Sequence, residues 1–207
     1  MGLLRDFFNQ CRKPQGFLGK IMLSGMSIVH ASVADWAMSL LDIPEPKEIV
    51  DIGCGNGRDI RELAKKYANS CVTGIDYSAL SVQKSQKTNK ALIAAGRCSI
   101  EECDVYNLQL PTNKFDLATA FETIYFWPEL VHCFSQVRNI LKPNGKFMIV
   151  LESDGQDKLT QWFQTRIDGM NTYQIDELKQ ALKEAGFSSV QANQHHKRPW
   201  FMLLASK

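Results

Sequence analysis

The stretch Asp51-Ile52-Gly53-Cys54-Gly55-Asn56-Gly57-Arg58 decides how the rest of this chain reads. It follows the apolar run Glu48-Ile49-Val50 and precedes Ile60, Leu63, Ala64 and Tyr67, which recur at helical spacing. A strand therefore runs into a glycine-rich turn that opens a helix. Such a turn sits at the carboxyl edge of a parallel sheet, and glycine lets its backbone approach a ligand closely. Without a ligand the same residues would make a tight strand-to-helix turn. Three glycines in five residues, after an acidic one, favour the ligand.

Outward from the loop, short β-rich runs alternate with helical stretches. Cys71 to Ile75 reads as a second strand, with Ser78 as N-cap of the helix after it. Cys98 to Cys103 and Phe115 to Phe121 give a third and a fourth. Leu130, Val131, Phe134, Val137, Ile140 and Leu141 mark a helix that Pro143-Asn144-Gly145 ends, before a fifth strand over Lys146 to Leu151. A helix from Ile175 to Ala185 stops at Gly186, and two short strands close the chain, Ser189 to Asn193 and Trp200 to Ala205. Repeated alternation predicts an α/β fold, a mostly parallel sheet with helices on both faces. The last two strands have no helix between them and should form an antiparallel hairpin.

Composition fits that reading. The chain has 207 residues, 44% hydrophobic and 22% charged, with a net charge of +2, so no strong basic field points to nucleic acid. Six cysteines include no C-x-x-C pair, and no His or Cys cluster has zinc spacing; no metal is expected and the cysteines read as reduced. No signal peptide is expected at the N-terminus and no apolar stretch suits a membrane span, so the expected location is cytoplasmic.

Asp76 ends the second strand, about twenty residues after the glycines, where a carboxylate can accept both hydroxyls of an adenosine ribose. Asp104, at the end of the third, is placed to accept from an adenine amino group. Each has a plainer reading, a turn start for Asp76 and an ordinary strand-end acid for Asp104. Phe121-Glu122-Thr123, ending the fourth strand, must reach the same edge.

These motifs resemble the class I S-adenosylmethionine-dependent methyltransferases over about residues 44–207. The likeness lies in Asp51 to Gly57, Gly74-Ile75-Asp76-Tyr77-Ser78, Cys103-Asp104-Val105, Lys114-Phe115-Asp116-Leu117 and Ile140 to Phe147. It implies a Rossmann-like seven-stranded sheet of order 3-2-1-4-5-7-6, with the last-placed hairpin strand antiparallel. It also implies S-adenosylmethionine as cofactor, S-adenosylhomocysteine as product, Gly53 and Gly55 near the methionine part, Asp76 at the ribose and Asp104 at the adenine. The expected cofactor set is Asp51, Gly53, Gly55, Asn56, Gly57, Asp76, Tyr77, Ser78, Asp104, Val105, Phe121 and Glu122. A nicotinamide or flavin oxidoreductase would carry G-x-G-x-x-G; the shorter Gly53-x-Gly55-x-Gly57 and the terminal hairpin speak against it.

Methyl transfer asks little covalent help, because aligning nucleophile, methyl and sulfur supplies much of the acceleration. Glu122, Tyr125 and His30 are the candidates for a general base. Each has an ordinary reading: Glu122 orienting the cofactor's amino end, Tyr125 packing, His30 pairing structurally. His132, His195 and His196 read as solvated surface.

The Asn/Asp-Pro-Pro-Tyr of amino-methylating relatives and the Pro-Cys of cytosine enzymes are absent after the fourth strand, where Glu122-Thr123-Ile124-Tyr125 stands instead. Tyr125, Phe126, Trp127, Trp162, Phe163, Met170 and Tyr173 suggest an apolar pocket, with about half of them expected in the core. The expected acceptor is a small apolar or aromatic metabolite. The alternatives are a protein or RNA acceptor, or a module that binds the cofactor without turnover.

Residues 1–43 precede the first strand, with Pro44 and Pro46 marking the boundary to the domain at 44–207. Val33, Trp36, Ala37, Leu40 and Leu41 recur at helical spacing, and Phe7, Phe8, Phe17, Leu18, Ile21, Met22, Leu23 and Met26 must be buried somewhere. The segment is expected to be a helical lid over the cofactor, with a helix fixed to the flank as the alternative.

Overall fold

The computed structural model describes residues 30–207. Seven strands form one sheet: β1 (Glu48–Ile52), β2 (Cys71–Asp76), β3 (Cys98–Glu102), β4 (Phe115–Phe121), β5 (Leu141–Leu151), β6 (Ser189–Gln194) and β7 (Phe201–Ser206). Their order is β3-β2-β1-β4-β5-β7-β6. Strands β1 to β5 pair in parallel, and β7 is antiparallel to both β5 and β6. The helices are α1 (residues 30–40), α2 (Arg58–Lys66), α3 (Ala79–Thr88), α4 (Lys90–Ala94), α5 (Leu130–Ile140), α6 (Lys158–Gln164) and α7 (Ile175–Glu184).

Side chains alternate across a strand, so the central strands feed two cores at once. Phe147, Ile149 and Leu151 of β5 face one layer, with Phe134 and Val137 of α5 and Leu178 and Leu182 of α7. Met148 and Val150 face the other, with Val33, Ala37 and Leu41 of the N-terminal segment, Ile60 and Leu63 of α2, and Val82 of α3. Helix α1 is thus packed on the sheet as firmly as α2. Its Asp35 pairs with Arg58 at the start of α2, and Arg58 also meets Asp59 at 2.5 Å. Phe7, Phe8, Phe17, Leu18, Ile21, Met22, Leu23 and Met26 lie outside the described residues.

Two elements differ from their sequence outlines. Strand β5 starts at Leu141 rather than Lys146: Pro143-Asn144-Gly145 lies within it, the register with β4 shifts between Phe115 and Leu117, and Asn144 takes a positive φ of 65°. Helix α4 follows α3 directly, sharing Asn89 as a junction. It buries none of its own residues, so its sequence lacked an apolar period to announce it.

The first core is organised around aromatic rings. Phe147 stands at 6.2 Å from Trp127, 5.8 Å from Phe134 and 5.9 Å from Phe187, centroid to centroid. Removing a fully buried ring from such a cluster leaves a cavity, which costs about 3–5 kcal/mol. Phe147→Ala is therefore expected to lower Tm by roughly 6–20 °C in a thermal melt followed by circular dichroism.

Asp51 puts a carboxyl inside the sheet. It is 2% exposed, at the carboxyl end of β1, and its Oδ1 accepts from the Thr119 hydroxyl of β4 at 2.7 Å. Burial, reinforced by the nearby Asp59 carboxylate, pushes its pKa up to about 8 from an ordinary 3.8, against the Thr119 bond. Between those values the folded chain holds a proton that the unfolded chain has lost, so stability falls as pH rises through this window. Asp51→Asn keeps an acceptor for Thr119 and removes the titration. Its Tm is expected to gain on the wild type progressively between about pH 5 and about pH 8.5. A constant difference at both ends would contradict this account.

Candidate functional site

A cleft of about 230 Å³ opens at the carboxyl ends of β1 to β4. The glycine loop forms its floor and is fixed mainly through its backbone, with Asn56 Oδ1 also accepting from Arg58 N at 3.1 Å. Gly53 N and Cys54 N both donate to the Ile75 carbonyl, at 2.8 and 2.9 Å, and Gly57 N donates to the Cys54 carbonyl at 2.8 Å. Gly53, Gly55 and Gly57 all have positive φ, where a side chain would be strained. They are not equivalent. A Cβ on Gly53 would lie 2.2 Å from Thr123 Oγ1, and one on Gly57 2.3 Å from Asn89 Nδ2, whereas one on Gly55 would meet nothing within 4 Å. Gly55 therefore faces open space and lines the cleft, while Gly57 is the N-cap of α2, packed under α3 and away from the lining.

Asp76 ends β2 in the cleft wall. Its Oδ2 accepts from Gly55 N at 3.0 Å and its Oδ1 from Ser78 N at 2.9 Å, and the Ser81 hydroxyl donates to it as well. Burial raises its pKa, and these donors partly offset the shift. The carboxylate is held rigidly, with its orientation set by the loop. Asp104 lines the far wall and caps the turn after β3, its Oδ1 accepting from Tyr106 N at 2.9 Å.

Beyond β4, Glu122 takes φ 54°, a left-handed conformation for a non-glycine residue and one that is often found at functional sites. Tyr125 donates its hydroxyl, and Glu152 its backbone N–H, to the Glu122 carboxylate. Among the described residues, the Oε1 atom nevertheless remains buried without a hydrogen-bond partner. Burial pushes the Glu122 pKa up to about 8, with His30 opposing the shift and Glu152 adding to it. His30, on α1, places Nε2 3.4 Å from Glu152 Oε1. Burial acts to lower its pKa, but the bond to Glu152 and the charges of Glu122 and Asp59 outweigh it, and the net shift is upward.

Of the residues expected at the cofactor, Gly53, Gly55, Asn56, Asp76, Tyr77, Asp104, Val105, Phe121 and Glu122 line this cleft. Asp51 and Ser78 stand behind the lining, Asp51 inside the sheet and Ser78 as the N-cap of α3, its hydroxyl accepting from Ser81 N. Of the candidate bases, His30 and Glu122 reach the cleft wall, while Tyr125 is buried behind Glu122. Of the seven residues read as an apolar pocket, Phe126 and Trp127 line it. Trp162 is instead 40% exposed, against Phe163 and Arg166, and Met170 and Tyr173 pack on the first core. His132 is not free surface either: its Nε2 lies 2.9 Å from the Tyr106 carbonyl, and its ring packs on Tyr106. His195 contacts Trp36 and Trp200.

Sequence reasoning missed Cys54, Asp59 and Ser81 in the cleft wall, and Glu152 beside it, whereas Thr123 lines the cleft at the edge where the sequence put it. Glu152 directly follows the apolar β5, the same strand-end signal that singled out Asp76 and Asp104.

The chain was compared with known proteins. A family model described as "Methyltransferase domain" matches residues 45–194. Cycloartenol-C-24-methyltransferase of Arabidopsis thaliana is 28% identical over 52% of this chain and 32% of its own length. An O-methyltransferase of Pyrenophora dematioidea is 28% identical over 70% of this chain and 55% of its own. The chain thus spans about a third to about half the length of these relatives. Among solved structures, an S-adenosylmethionine-dependent methyltransferase of Thermotoga maritima superposes with a TM-score of 0.73 at 17% identity, covering 98% of this chain and 99% of that one. Strand order, glycine loop and family match agree: this chain belongs to the class I S-adenosylmethionine-dependent methyltransferases.

Proposed function

We propose that the protein transfers the methyl group of S-adenosylmethionine to a small apolar or aromatic acceptor. The observation that carries this reading is the pairing of Asp76 with the glycine loop at the wall of one cleft. The residues fit the cofactor on structural grounds. Gly55 leaves room where a side chain would project, and Asp76 presents a fixed carboxylate at the ribose position. Glu122 lines the same cleft, where its carboxyl adds to the negative character that suits a cationic methionine part.

Bound there, the cofactor supplies a sulfonium-activated methyl group. The protein's share is alignment and exclusion of water. Asp76 and Asp104 fix the nucleoside end, while the loop backbone sets how close the methionine end can come. Phe126, Trp127 and Pro128 give the acceptor side an apolar wall, in keeping with relatives named for a sterol substrate. His30 and Ala34 of α1 also line the cleft, which supports reading the N-terminal segment as part of its cover.

Asp76→Asn tests the assignment: with its oxygen toward Gly55 N it keeps the bond that holds the loop, at the expense of the bond from Ser78 N. Losing the charged acceptor removes about 1.5–3 kcal/mol of hydrogen bonding. Affinity for S-adenosylhomocysteine should then fall by roughly 10- to 150-fold in a calorimetric titration, with the melting curve showing a folded variant. Unchanged affinity would remove Asp76 from the site. Transfer of labelled methyl from S-adenosylmethionine to a panel of small apolar and aromatic compounds then tests the acceptor class. Labelling of protein or RNA alone would overturn it.

A further inference from the structure

Three side chains from three separate elements meet at one corner of the cleft. His30 comes from α1, Glu122 from the end of β4 and Glu152 from the end of β5. One ligand atom from each, an imidazole nitrogen and two carboxylate oxygens, lies within 4.8 Å of the others. The polar contacts within the corner leave it incomplete. His30 Nε2 and Glu152 Oε1 stand at a loose 3.4 Å. Glu122, only 9% exposed, accepts from Tyr125 and from the Glu152 backbone, yet its Oε1 is buried with no partner among the described residues. An acceptor in that position is costly unless something positive meets it. The left-handed backbone that holds the Glu122 carboxyl here adds strain, which persists only where the surroundings fix it.

We propose that His30, Glu122 and Glu152 form a binding site for one first-row divalent cation, Mn2+ or Zn2+. One imidazole and two carboxylates make a mixed nitrogen and oxygen set that suits such ions rather than a soft thiolate site. Ligand bonds of about 2.0–2.2 Å put two donors on one ion at most about 4.4 Å apart. Only an opposite pair reaches that span; adjacent ligands lie roughly 3.0–3.8 Å apart. His30 Nε2 and Glu152 Oε1 already meet that separation at 3.4 Å, while a pair as far apart as 4.8 Å closes by about 1 Å on binding. The ion would offset the charge of the two carboxyl ligands and give Glu122 Oε1 a partner, and because its ligands bind deprotonated, its affinity would rise with pH. Three protein ligands also leave coordination positions for water or for an oxygen or nitrogen of an acceptor. That last role rests on the methyltransferase reading; binding of the ion does not.

The test is a titration of chelator-treated full-length protein with MnCl2 and ZnCl2 by calorimetry, with Mn2+ also followed by electron paramagnetic resonance. One equivalent bound at micromolar concentration is expected, weakened at least tenfold in both Glu152→Gln and His30→Gln. Circular dichroism melts confirm that the variants fold; if His30→Gln does not, Glu152→Gln decides alone. The double variant His195→Ala/His196→Ala should retain the site, since a loss there would move the ion to the surface histidines and overturn the proposal. No binding up to millimolar Mn2+ and Zn2+, or equal affinity in wild type and Glu152→Gln, would overturn it as well. S-adenosylhomocysteine is titrated separately into the same samples. Cofactor binding without cation binding would refute this site and leave the methyltransferase reading in place.

Discussion

The hydrogen bond from Gly55 N to Asp76 Oδ2 is the contact on which the site depends. It joins the loop after β1 to the end of β2, so two strand ends become one rigid surface. The glycines have no side chains to supply this rigidity, and Asn56 and Cys54 add only a bond from Arg58 N and one to Ser85 Oγ. The loop's conformation is set by the carbonyl of Ile75 and the carboxylate of Asp76, both belonging to the neighbouring strand. The same carboxylate also accepts from Ser78 N, which places the start of α3. One buried charge thus fixes a loop, a strand end and a helix start, and the donors around it offset the cost of its burial.

The acidic character of the cleft follows from how the sheet is built. Parallel strands all end at one edge, and here Asp51, Asp76, Glu122 and Glu152 each stand at or just past such an end. Asp59 joins them from the first turn of α2. Burial raises the pKa of Asp51, Asp59, Asp76 and Glu122, so the folded protein holds these carboxyls against their preference for water. Cations ease that tension, whether a protonated His30, the ammonium and sulfonium of a cofactor, or a metal ion. An oxidoreductase site for a pyrophosphate would need the opposite sign at this edge.

The strands, the helices and the loop were legible because they rest on periodicity and on glycine, which are local signals; the sheet order came only through the family resemblance that the motifs carry. Helices packing on the sheet through one apolar face, such as α5 and α7, were read to within a residue or two at their ends for the same reason. The corner formed by His30, Glu122 and Glu152 was only partly legible. Its members lie 92 and 30 residues apart in the chain, and no local pattern announces that α1 crosses the ends of β4 and β5. Tyr125 shows the opposite failure. Its position next to Glu122 suggested a place in the cleft, but a short helical turn over Ile124–Phe126 rotates it into the core, where it supports Glu122 from behind.

Two motifs that carried the family resemblance turn out to lie far from the chemistry. Asp116, near the start of β4, accepts from the backbone N–H groups of Lys47 and Glu48 at 3.0 and 2.9 Å, and from Lys142 Nζ at 2.8 and 2.9 Å. It therefore ties together the amino ends of β1, β4 and β5, the edge opposite the cleft. Burial alone would raise its pKa, but Lys142 and the two N–H groups more than offset that and hold it below the ordinary range. Gly145 serves the same end: a Cβ there would lie 2.8 Å from the Lys142 carbonyl, inside contact distance. The stretches around Asp116 and Lys142-Pro143-Asn144-Gly145 thus set the register of the three central strands. That register decides where the strands stop at the other edge, and so where Asp51, Phe121, Glu122 and Glu152 stand relative to one another. A residue at the amino edge shapes the site by fixing how far each strand reaches across the sheet.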